Sequence, residues 1–277
     1  MERFEVPYFC DMFLLDTKMT PKTCLFAVLL ATHHLVLSQV RTPSKGASDT
    51  PVTVPFIGCP ADGQAGPLDP PKGSTKVVHI PREAAQQLAF YKAEQGFGVL
   101  APRGWYCFAT YGSNGGSLFV SPQPIDGNTL FSDTWKGFTG PVIQLSGEEG
   151  DTSGRFGVAR IIARVFPSHR AFVHKVISDG FGSANDFPSG PYPKDKLLYK
   201  SKELVEYQTP PQTEGLGTQS RLLKNADPIR GAAILVGLKE EGEPSLLLLA
   251  SRLPSEMTNF TSAIIQQTEY DAAHTED

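Results

Sequence analysis

Cysteine, methionine and tryptophan are scarce in this 277-residue chain, at four, four and two residues. No two cysteines form a C-x-x-C pair, so the ligand set of a structural zinc site is missing. Neither sign of charge dominates: the formal net charge is −4, which disfavours nucleic acid as a partner. No apolar run reaches the roughly 20 residues that span a bilayer. The G-x-S-x-G and S-x-x-K patterns of activated serines and the D-x-D-x-D-G calcium loop are absent, and no short motif names a reaction. What the chain does contain is 40% hydrophobic residues, enough for one sizeable core, with 26 glycines and 23 prolines to punctuate it into many short elements.

The longest apolar stretch lies near the N-terminus, from Cys24 to Leu37, behind Lys18 and Lys22. Val36 and Ser38 occupy the small-residue positions before a cut at Gln39. Residues 1–38 are therefore expected to be a cleaved signal peptide and 39–51 a flexible linker, leaving 52–277 as a single domain, secreted or periplasmic. His33 and His34 interrupt the apolar run, and an uncleaved anchor or a buried helix are the alternatives. Cleavage would remove Glu2, Glu5, Asp11 and Asp16 together with Arg3, Lys18 and Lys22, moving the net charge from −4 to −3. It would also remove Cys10 and Cys24, so that Cys59 and Cys107 remain as a pair. In an oxidising compartment that pair is expected to be a disulfide, stabilising by roughly 3 to 4 kcal/mol and tying down the loose stretch GCPADGQAGPLDPPKG.

The punctuation predicts strands at 52–57 and 75–80 and a helix from Pro81 to Gly96, with Ala84, Leu88 and Tyr91 on one face. GFGVLA, WYCFATY and SLFVSP then read as three antiparallel strands, followed by GPVIQLSG. Ser153 and Ser168 are expected to cap two helices that end at Phe166 and near Ser178. An irregular stretch follows, 179–193. KLLYKSKELVEYQ, IRGAAILVGLK and SLLLLASRL return to strand, and a helix is expected from Thr258 to Tyr270. The fold class is α+β: a mainly antiparallel sheet with packed helices.

Candidate chemistry is thin. His169 and His174 are five apart, which turns them about 140° from each other on a helix and denies a metal a shared face. No metal site is assigned. EGLGTQS lacks the lysine of a phosphate cradle, so no cofactor is assigned either. Ser113 falls in a hairpin loop, Asp179, Asn185 and Asp186 suit loop capping, and Trp105, Tyr106 and Tyr111 suit a core strand better than a sugar platform. One asymmetry stands out. From Thr152 to Ser178 the chain has no acid, while Arg155, Arg160, Arg164, Arg170 and Lys175 supply five positive charges, joined by His169 and His174. Such a segment is either a solvated face paired with acids elsewhere or an anion-binding surface. The expected function is that of a non-catalytic exported protein that uses these residues to bind an anionic small molecule, polymer or acidic protein. The alternatives are an exported hydrolase and a structural interaction protein of the envelope.

Overall fold

The computed structural model describes residues 51–238 and 243–274, all within one compact unit, Lys45–Asp277. The expected signal peptide, its cleavage point and nearly all of the linker lie outside the described residues. In chain order the strands are β1 (Val52–Gly58), β2 (Ala61–Gly63), β3 (Thr75–Val78), β4 (Leu88–Lys92), β5 (Val99–Pro102), β6 (Tyr106–Gly112), β7 (Gly115–Ser121) and β8 (Val142–Glu148). They continue with β9 (Lys196–Tyr199), β10 (Leu204–Thr209), β11 (Ile229–Val236) and β12 (Ser245–Arg252). The helices are α1 (Arg82–Gln87), α2 (Gly127–Leu130), α3 (Arg155–Val165), α4 (Arg170–Ser178) and α5 (Thr261–Ala273).

These strands form two sheets, a small one ordered β3-β1-β4-β5 and a large one ordered β2-β6-β7-β8-β12-β11-β10-β9. Pairing is antiparallel except for β1 with β4 and β2 with β6. The α+β class with a mainly antiparallel sheet is what the chain adopts. The large sheet is covered on both faces. On the first, Ala109, Leu118, Leu145, Ala232, Leu247 and Leu249 pack with the small sheet and with Ile264 and Ile265 of α5. On the second, Val142, Ala233, Leu246 and Leu248 pack with Val158, Ile161 and Ile162 of α3 and Phe172 and Val176 of α4. The run SLLLLAS in β12 is explained by this position: a central strand buried on both sides has no solvent face on which to alternate. No helix of the described residues is long and apolar enough to cross a membrane.

Cys59 and Cys107 are bonded, across a sequence separation of 48 and a Cα–Cα distance of 5.4 Å. Cys59 follows the last residue of β1, and Cys107 sits in β6. The bond therefore joins the small sheet to the large one and anchors the start of the proline-rich stretch.

Three local expectations are corrected. The helix from Pro81 stops at Gln87, and Leu88–Lys92 becomes β4, between β1 and β5. Leu88, Ala89, Phe90 and Tyr91 are consecutive buried residues, a demand that a sheet interior meets and a one-faced helix does not. The segment GFGVLA does not precede WYCFATY in one meander; β5 belongs to the small sheet, while β6, β7 and β8 run consecutively in the large one. Ser153 and Ser168 do not cap: Gly154 and His169 are the N-cap residues of α3 and α4, without side-chain cap bonds. Gly154 fits because a Cβ there would overlap the backbone of Asn114 and Glu149, against which the helix start is pressed.

Candidate functional site

On the second face of the large sheet, α3 does not cover the ends of β7 and β8, and a groove of about 480 Å³ remains. The register decides what lies on its floor. Ser117 pairs with Ser146 and Phe119 with Gln144, while Ser146 pairs on its other side with Leu248. Polar side chains of neighbouring strands thus fall side by side, and they bond to one another: Ser117 Oγ lies 2.8 Å from Ser146 Oγ, and Gln144 Nε2 donates to Ser146 Oγ at 2.7 Å. Gln144 Oε1 accepts from the backbone N–H of Arg221 at 2.7 Å, which sets the far wall, Gln219–Arg221, at a fixed height above the floor.

That wall is tied to the neighbouring loop, where the Phe138 N–H donates to the Arg221 carbonyl at 2.8 Å, and the loop is held by Arg252. Its side chain is almost wholly buried, and its guanidinium donates to the carbonyls of Phe138, Gly140 and Leu223. Burial lowers the pKa of this guanidinium, with Asp227 acting in the opposite sense. A buried cation that satisfies three loop carbonyls positions both the 138–140 segment and the wall beside it.

The groove has one ionisable floor residue, Glu148. Burial pushes its carboxyl above the usual carboxylate range, and the charge of Arg160 pulls it partly back. Gly157 of α3 lies over it: a Cβ at that position would overlap Glu148 Oε2, so glycine lets the helix close down on the carboxyl. At the rim, Arg160 donates to Gln219 Oε1 at 2.9 Å, and the guanidinium of Arg221 lies 5.8 Å from the centroid of the Trp135 ring. Neither makes an ion pair among the described residues.

The structure divides the basic residues singled out in the sequence. Arg155 and Lys175 share two acids: Arg155 lies 3.5 Å from Glu243 and 3.9 Å from Asp179, Lys175 2.7 and 3.0 Å from the same two. Arg155 is also packed over Phe181. His169 Nε2 is 3.4 Å from Glu203. The other three hold neutral partners. Arg160 is bonded to Gln219, Arg164 donates to the Gly190 carbonyl and lies over Tyr192, and Arg170 donates to Ser189 Oγ at 2.6 Å. Arg164 and Arg170 thereby organise part of the irregular 179–193 stretch, where Asp186 caps a short turn by accepting from the N–H and hydroxyl of Ser183.

Only Arg160 of the six approaches the groove. Ser117, Gln144, Ser146, Glu148 and Arg221 went unrecognised because each belongs to a segment that reads as ordinary strand or turn. The one available signal was GPVIQLSG, where Gln144 and Ser146 occupy alternate positions of a strand whose other residues are apolar. His79 stacks on Tyr270, which stacks in turn on His274, each at 3.9 Å, away from the groove. Among the described residues no group of three histidine, cysteine or acidic side chains is arranged to hold a metal. No protein-family model, curated protein or solved structure matches this chain.

Proposed function

We propose that this protein is an exported, non-catalytic binder of an anionic ligand, and that the ligand sits in the groove above Ser117, Gln144 and Ser146. The observation that carries the reading is the pair of arginines at the rim, Arg160 and Arg221, which make no ion pair with a carboxylate among the described residues. Below them lie hydroxyl and amide groups that can donate to an anion. Arginine suits this task, since its planar fork meets a phosphate or carboxylate at two points. The Cys59–Cys107 bond supports the exported part of the reading, because such bonds persist in oxidising compartments.

Glu148 gives the binding a pH dependence. A bound anion disfavours a second negative charge beside it, and the carboxyl is already biased toward its neutral form. Affinity therefore rises as pH falls into the carboxylate range. The test is retention on phosphocellulose together with calorimetric titration of inorganic phosphate, for the parent and for Arg160→Gln/Arg221→Gln. Loss of two charged contacts weakens binding by about tenfold or more. The unfolding midpoint should barely move, because exposed substitutions are usually worth less than about 0.5 kcal/mol. Unchanged retention in the double variant would refute the groove as the anion site.

A further inference from the structure

On the opposite face of the same strands lies a second space, between the two sheets, that the anion groove does not use. It has a volume of about 220 Å³. Its walls are Ala109, Tyr111, Leu145 and Leu247 from the large sheet, and Ala93 and Phe97 from the small-sheet side. Two of its features are written into the register. Gly116 pairs with Gly147 across β7 and β8, two positions beyond the pair Leu118 and Leu145 and so on the same face, where the leucines' neighbours fill the core. A Cβ built on Gly147 meets nothing within 4 Å, so glycine leaves open a space that a side chain would enter. Tyr111 is also fixed: its hydroxyl donates to the Gly66 carbonyl, which commits its polar end and leaves the ring as wall.

We propose that this pocket binds one small neutral aromatic molecule carrying a hydrogen-bond donor, of the size of phenol or indole. An apolar cavity of about 150 Å³ holds benzene, so 220 Å³ takes one ring or two fused rings. Tyr111 and Phe97 offer aromatic surface to a planar guest. Among the described residues of the lining, Glu149 alone is charged, and it already accepts from Ser245 Oγ at 2.7 Å. A carboxylate there repels an anion and accepts from a hydroxyl or ring N–H. The chemistry is thus opposite to that of the groove, and neither reading depends on the other.

The experiment uses the folded chain with its disulfide intact, methyl-labelled at alanine and leucine, titrated with indole, phenol and benzoate. Saturable shifts of the Ala93, Ala109, Leu145 and Leu247 methyl signals are expected with indole and phenol. Benzoate, similar in size but anionic, should bind about tenfold more weakly or worse. Gly147→Val fills the space and should abolish the indole response while keeping the unfolding midpoint. Should that variant fail to fold, Glu149→Gln serves in its place, and should bring benzoate to within about threefold of phenol. No saturable shift in the parent protein, an undiminished response in folded Gly147→Val, or unchanged discrimination in Glu149→Gln would each overturn the proposal.

Discussion

The two faces of the large sheet are closed by different means. The first is covered by a second sheet and α5, and a covalent bond from Cys59 to Cys107 holds the layers together. The second is covered by α3 and α4, and its loops are held by hydrogen bonds from one buried guanidinium, Arg252. Where the small sheet lies over β6, β7, β8 and β12 water is excluded, so that part of the first face is apolar up to its glycine-lined pocket. Two short helices leave strand ends bare, and there the second face carries serine, glutamine and glutamate instead. Polar groups appear where the covering layer runs out, which is why the polar groove and the mostly apolar pocket lie back to back on β7 and β8.

Each face has a fastening that can be removed on its own. Replacing Cys59 and Cys107 by serine should lower unfolding free energy by roughly 3 to 4 kcal/mol in denaturant titrations, through the entropy regained by the unfolded chain. Arg252→Met keeps the apolar stem but strands three carbonyls, at a cost of about 3 kcal/mol. It should also weaken phosphate binding, because the Gln219–Arg221 wall loses its support. An effect on stability without one on binding would show that the wall stands by itself.

Two glycines of α3 are crowded by different groups, one by backbone and one by a side chain. Gly154→Ala drives a methyl into the backbone of Asn114 and Glu149, which has nowhere to go, and should cost about 2 kcal/mol. Gly157→Ala meets only the end of the Glu148 side chain, which can swing into the groove. The gain in helix propensity, about 1 kcal/mol, offsets that displacement. Thermal unfolding should separate the two variants clearly, and Gly157→Ala should reduce anion binding while leaving stability nearly unchanged.

A smaller effect than the loss of either fastening is expected on the first face, where Glu269 of α5 meets Glu206 of β10. Burial and the Glu206 carboxylate push the Glu269 pKa up to about 7, against the pull of Lys200, which is 2.8 Å from Glu206. A raised folded-state pKa means that the folded chain holds this proton more tightly than the unfolded chain does. Stability from this group is therefore complete below the ordinary glutamate value of 4.5 and declines as pH rises toward 7. After screening by solvent the decline should be about 1 kcal/mol, and Glu269→Gln should flatten it in denaturant titrations across that range.

By itself the sequence determined the fold class, most strand positions, the two central helices and the pairing of Cys59 with Cys107. These follow from local chemistry: β-branched and aromatic runs between turn residues, proline and glycine at element ends, and a count that left two cysteines. It did not determine that Leu88–Lys92 would be strand, because LAFYK carries both helical and sheet patterns, and burial on all sides chose between them. Nor did it divide the arginines. Arg155 and Arg160 look alike in sequence, yet Glu243, 88 positions from the first, neutralises one of them, while the other faces the amide of Gln219. The floor of the groove and the opening of the pocket behind it both depend on register, which sets Ser117 beside Ser146 on one face and Gly116 beside Gly147 on the other. Pairing across strands is a long-range choice made by the whole sheet, and only the tertiary structure could make it.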